Sequence, residues 1–114
     1  MSRLNVTAAM LAIVTLVMVA GCTSSGPETA VRATEEGERL FMQYCVGCHP
    51  GGRNIKFPQK SLGRMVLKAN GISTVDDIVA KMRKPDEGMP RFDRQRVPDA
   101  AARAIAGYIL ATFP

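Results

Sequence analysis

Five residues, Cys45-Val46-Gly47-Cys48-His49, constrain this chain more than any other feature. Cys-x-x-Cys-His is the attachment signature of c-type haem. Two thiols at i and i+3 lie on one edge of a helical turn, so both can form thioethers to the two vinyl groups of one porphyrin. The next residue, His49, then presents its imidazole to the iron from the same side. A chain stapled in this way folds around its cofactor, and the iron carries the chemistry. Other uses of the same residues fit less well. A structural zinc site needs four ligands, and the chain has one His and three Cys. A thioredoxin-type redox pair follows a strand, whereas the segment before Cys45 reads as helix. A plain disulfide, or an inert pair of thiols, is the bland alternative.

The N-terminus reads as a targeting segment, separate from the fold. Arg3 supplies a basic start, residues 6–19 are almost continuously apolar, and Val19-Ala20-Gly21-Cys22 follows. Small residues immediately before a Cys resemble the lipobox of bacterial lipoproteins. That resemblance implies a signal peptide over residues 1–21, cleavage before Cys22 and diacylation of its sulfur. Two alternatives remain: an uncut N-terminal membrane helix, and ordinary cleavage with release. Lipidation would make a lasting membrane anchor, because two or three acyl chains hold where one does not. The cysteines are then all assigned, with Cys22 to lipid and Cys45 and Cys48 to haem. Both assignments place the domain in the bacterial cell envelope on the extracytoplasmic, periplasmic side, since c-type haem is attached outside the cytoplasm.

The chain is formally +5, and loss of residues 1–21 removes Arg3 and leaves +4. A basic balance alone would suit nucleic acid. The export signal argues against that and favours acidic protein partners or anionic lipid. Residues 22–33 are small and polar after Cys22 and read as a flexible tether. Residues 34–114 form one small domain with limited core to bury, so a covalent haem would supply much of that core.

Periodicity predicts about four helices and no strand. Helix one starts with Thr34 as N-cap, has Glu35 and Glu36 in its first turn, and lines its apolar face with Leu40, Phe41 and Tyr44. A Gly-rich basic loop follows from Gly47 to Lys60. Helix two has Ser61 as N-cap, a face of Leu62, Met65, Val66 and Ala69, and an Asn70-Gly71 end. Helix three is capped by Ser73 or Thr74 with Asp76 or Asp77 three residues on, and turns Ile78, Val79 and Met82 inward. The last helix starts near Pro98, a residue suited to the first turn, and runs through Ala101, Ala104, Ile105, Tyr108, Ile109 and Thr112.

A single His excludes bis-His coordination within one molecule. Met is then the natural sixth ligand, and a thioether raises the reduction potential. Met42 is too near His49 in sequence to reach the far face. Met65 and Met82 sit on apolar stripes and read as core. Met89 lies between Gly88 and Pro90, where Gly permits close backbone approach and Pro stiffens the turn. It is the candidate ligand; the plain alternative is a Met that anchors a surface loop.

From Glu35 to Phe113 the chain resembles a class I c-type cytochrome. Met89 follows His49 by 40 residues, a separation typical of the short branch that includes the plastocyanin-replacing photosynthetic cytochromes. Asp86-Glu87-Gly88-Met89-Pro90-Arg91-Phe92 resembles that branch's methionine loop, and residues 98–109 resemble its last helix. The resemblance implies an all-α cytochrome c fold around one covalent haem c, with His49 and Met89 as axial ligands. It implies that the first and last helices cross closely, with Gly37 and Phe41 meeting Tyr108. It also implies a loop proline whose carbonyl accepts the proximal imidazole N–H, for which Pro58 is the candidate.

The expected function is single-electron transfer by a membrane-tethered carrier, with redox proteins as partners and neither catalytic residue nor small-molecule substrate. Lys81, Arg83, Lys84, Arg91, Arg94 and Arg96, with Arg53 near the motif, could form a basic ring that steers acidic partners; an ordinary solvated face explains them equally well. Two other functions stay open. Without Met89 on the iron, the site would be a gas sensor or weak peroxidase. Alternatively, the domain is a fixed haem subunit of a larger oxidoreductase.

Overall fold

The computed structural model describes residues 27–114, with side chains from Thr34 onward. The expected leader and Cys22 lie outside the described residues. Four α-helices follow one another: α1 (Pro27–Tyr44), α2 (Arg64–Ala69), α3 (Val75–Arg83) and α4 (Asp99–Thr112), with 3-10 turns at Pro50–Gly52 and Pro58–Lys60. No strand occurs among the described residues, so the all-α expectation holds. None of the described helices is long and apolar enough to cross a membrane.

Helix α1 begins at Pro27 rather than at a Thr34 cap. Proline suits a first helical turn because its fixed φ is already helical and its missing N–H is one that would go unpaired there. The residues after it are helix-compatible, so the helix runs on through Thr34. Residues 27–33 of the expected tether are therefore helical, and the rest of it lies outside the described residues.

Helices α1 and α3 both pack on α4. The first contact depends on Gly37. A Cβ there would lie 2.7 Å from the Tyr108 Cβ and closer still to the Ala104 carbonyl oxygen. Around this crossing Phe41, 1% exposed, sets its ring 5.3 Å from Tyr108 and 5.5 Å from Phe113. Helix propensity alone favours Ala over Gly by about 1 kcal/mol, yet the packing term dominates. Gly37→Val is expected to overpack the crossing by about 2–3 kcal/mol and to lower Tm by roughly 10–20 °C. Thermal melts of the two haem-loaded proteins check this; an unchanged Tm would show that the helices do not meet here.

Helix α2 is shorter than expected. Its N-cap is Gly63, not Ser61, and it turns Leu67 inward. Met65, expected in the core, is 75% exposed, and Ala69 is also exposed. With under two turns of helix, the inward face is set by where the flanking loops dock, not by periodicity. Helix α3 follows the expected pattern. Thr74 Oγ1 accepts from the Asp77 N–H (3.1 Å), and Asp77 Oδ2 accepts from the Thr74 N–H (2.9 Å) and the Ser73 N–H (2.9 Å). Those bonds, the Ser73 one foremost, hold the Asp77 carboxyl below its ordinary pKa. Ile78 and Met82 are buried as expected.

The long segment between α3 and α4 is pinned to both. Its Phe92 N–H donates to the Met82 carbonyl (3.0 Å), and Phe92 and Val97 are buried. Arg83 donates from Nη1 to the Phe92 carbonyl (2.8 Å) and from Nη2 to Asp99 Oδ1 (2.8 Å). Pro98 is the N-cap of α4, one position earlier than the expected first turn.

Candidate haem site

The end of α1 shapes the motif. Past Tyr44 the chain keeps turning, with the Cys48 N–H donating to the Cys45 carbonyl (3.1 Å) and the His49 N–H to the same oxygen (2.9 Å). That single turn holds Cys45, Cys48 and His49 in the lining of one cavity of about 300 Å³. Its apolar lining includes Leu67, Ile78, Met82 and Ile109, all of them core residues. The loop 86–89 contributes Asp86, Glu87, Gly88 and Met89 to the same cavity.

His49 Nδ1 lies 2.9 Å from the Arg53 carbonyl oxygen. A carbonyl only accepts, so Nδ1 carries the proton and Nε2 keeps a free lone pair. Such a bond fixes the ring orientation and strengthens the imidazole as a donor. The partner is Arg53 and not Pro58, which starts the second 3-10 turn. The reason is the turn at residues 50–52. Gly51 (φ +61°) and Gly52 (φ +79°) adopt left-handed backbone, and the Gly52 N–H closes back on the His49 carbonyl (3.1 Å). The reversal brings the carbonyl four residues on back to the ring. At Gly52 a side chain would also strike Phe113, with Cβ 2.6 Å from its Cγ.

Burial, and secondarily the charge of Cys48, push the Cys45 thiol up to about 11. A thioredoxin-type pair needs the reverse, a lowered thiol pKa. The four methionines downstream of Cys22 separate clearly. Met42 (55% exposed) and Met65 face outward. Met82 and Met89 line the cavity, Met82 as part of the α3 core face and Met89 from a loop turn closed by its N–H on the Asp86 carbonyl (3.4 Å).

Of the cations the sequence emphasised, only Lys81 lines the cavity. Arg83 and Arg94 both pair with Asp99, Arg96 covers the Phe92 ring at 4.9 Å, and Arg103 pairs with Asp76. The cations in the lining are Lys56, Lys60 and Lys81. Asp86 pairs with Lys81 (3.1 Å) and Lys60 (3.8 Å). The Lys81 hydrogen bond, then its charge, holds the Asp86 carboxyl below its usual range, with a smaller contribution from Lys60. Lys56, Phe57 and Lys60 were not singled out by sequence, because nothing in their local pattern marks them as cavity residues.

The donor set fits a covalent haem. It offers paired thiols on one turn, an imidazole with a free Nε2, a thioether from a second loop and apolar walls. Comparison with known proteins points the same way. A family model described as "Cytochrome C oxidase, cbb3-type, subunit III" matches residues 32–109. Cytochrome c6 from Bumilleriopsis filiformis is 37% identical over 76 residues, covering 67% of this chain and 87% of that protein. The structure of OmcF, the outer membrane cytochrome F from Geobacter sulfurreducens, superposes with a TM-score of 0.67 at 46% identity, covering 68% of this chain and 99% of that one. Cytochrome c6 from the diatom Phaeodactylum tricornutum gives 0.64 at 31% identity, covering 68% and 91%. The chain thus belongs to the small class I monohaem c-type cytochromes, electron-transfer proteins rather than enzymes, and carries one covalent haem c on Cys45 and Cys48.

Proposed function

We propose that this cytochrome is a membrane-tethered carrier of single electrons in the bacterial cell envelope, with His49 and Met89 as the axial ligands of its haem. The observation that carries the ligand assignment is the shared cavity, lined by the motif turn and, from a separate loop, by Met89. Bound haem supplies a one-electron ferric–ferrous couple. The chain does the rest. Arg53 holds the His49 ring through Nδ1 and leaves Nε2 for the metal. Leu67, Ile78, Met82 and Ile109 keep water from the buried wall, and a dry wall with a thioether ligand favours the reduced form. With the same two ligands in both oxidation states, little rearrangement accompanies each transfer. The oxidised protein should show the near-infrared Met-to-ferric-iron band; a high-spin spectrum with rapid CO binding would support an open, sensor-like or peroxidase-like iron instead.

The tether rests on Val19-Ala20-Gly21-Cys22, and the description of OmcF as an outer membrane cytochrome supports an envelope location. Cys22→Ser is expected to move the holoprotein from the membrane fraction to the released fraction almost completely, because loss of two or three acyl chains removes lasting attachment. Retention of the variant in membranes would favour an uncut helix as the anchor.

Redox proteins with acidic surfaces are the partners this reading implies. Lys56, Lys60 and Lys81 support it by their place in the cavity lining, although Lys60 and Lys81 share Asp86 much as Arg83 and Arg94 share Asp99. Steering by these lysines weakens with added salt. The description of the matching family model favours one second reading, a fixed haem subunit of an oxidase; co-purification from native membranes separates the two.

A further inference from the structure

The two loops that bring His49 and Met89 to the cavity also touch each other. A Cβ placed on Gly88 would lie 2.7 Å from Phe57 Cε2 and 3.0 Å from Lys56 Cδ. Gly88 has φ +93°, in the left-handed region. Its bare backbone therefore lies against the Phe57 ring, and both residues line the cavity. Phe57 is itself held from below. Asn54 Oδ1 accepts from the Phe57 N–H (2.8 Å) and from the Lys56 N–H (3.0 Å), while Asn54 Nδ2 donates to the Lys60 carbonyl (3.2 Å). The ammonium groups of Lys56 and Lys60 sit 5.6 Å and 5.7 Å from the ring centroid. Lys60 then reaches on to Asp86, at the start of the methionine loop.

We propose that Phe57 is a positioning residue that latches the methionine loop over the cavity. It acts through Gly88, not on the iron. The proposal rests on the reading of Met89 as an axial ligand. An aromatic ring held against glycine backbone leaves no room for a side chain between the loops and denies water that route to the metal. The ion pair alone would be a weak clasp, since exposed pairs are screened and contribute little. The ring adds an apolar, solvent-excluding contact beside Asp86, Gly88 and Met89. The latch controls how often the Met89 thioether lets go.

The test is ligand exchange on the ferric holoprotein. Cyanide binds only after the Met89 sulfur has left the iron, so its association rate reads the opening of the loop. Phe57→Ala is expected to speed cyanide association about tenfold, the size of effect given by losing one contact between coupled groups, while Phe57→Leu stays near the native rate. Gly88→Ala should push the loops apart and also speed exchange. The double variant F57A/G88A should fall short of the product of the two single effects, because the added methyl then meets no ring and only the Lys56 contact and the φ +93° strain remain. A native cyanide rate in Phe57→Ala, with the near-infrared Met band intact, overturns the latch and leaves the ligand assignment standing. Full multiplicativity in the double variant overturns it as well. Absence of that band in the unmodified oxidised protein overturns both. If Phe57→Ala does not accumulate, Phe57→Val takes its place: faster exchange supports the latch and a native rate overturns it, because strain at φ +93° speeds exchange in Gly88→Ala with or without the ring.

Discussion

A Cys45→Ala, Cys48→Ala double variant isolated free of haem is expected to lose most of its helical circular dichroism and its cooperative melt. Leu67, Ile78, Met82 and Ile109 belong to the buried core and also line the cavity, so without the porphyrin they face a void. At about 24 cal/mol per Å³, a cavity of about 300 Å³ corresponds to about 7 kcal/mol, an upper figure because its mouth is open. A small domain has roughly 5–15 kcal/mol of total stability. The cofactor is therefore part of the folding free energy, much as a structural metal is in a small metallodomain. Retention of native-like helicity with a sharp melt would show that α1 and α4, joined at Gly37, suffice alone.

Met89→Ala is expected to produce the second large effect, on the iron and not on the fold. The near-infrared band should vanish, and exogenous ligands should bind without having to displace a thioether. The reduction potential should fall by roughly 0.2 V, a fraction of the ~0.8 V that axial ligands span. Potentiometric titration measures this. Met82→Leu is the control, because Met82 also lines the cavity but belongs to the α3 core face; near-isosteric replacement there should leave the band in place. A native potential in Met89→Ala would move the ligand assignment elsewhere.

These expectations differ in how directly the residue string supports them. The attachment motif is local: one helical turn relates Cys45, Cys48 and His49, so their grouping was legible without any tertiary information. The Thr74 and Asp77 capping box was legible for the same reason. Gly37, Phe41 and Tyr108 were legible through family resemblance, and the structure supplies the cause, a backbone approach that leaves no space for a Cβ.

Other features were hidden because they depend on how loops fold back. Met65 and Leu67 are two residues apart in an amphipathic stretch, and only docking of a six-residue helix turns Leu67 in and Met65 out. The carbonyl at His49 Nδ1 belongs to Arg53 and not Pro58 because two left-handed glycines reverse the chain at once. Phe57 carried no signal, since its partner Gly88 is far away in sequence.

The amino-acid string alone determined the haem attachment, two thiols and one imidazole within five residues, and it proposed one loop methionine. Short-range spacing is enough for the attachment, because helical geometry fixes which side chains share an edge. Tertiary structure alone decided which carbonyl orients the histidine, which lysines line the cavity and which ring rests on the methionine loop. Those outcomes depend on loop paths closing against one another, and no local periodicity encodes where two distant turns will meet.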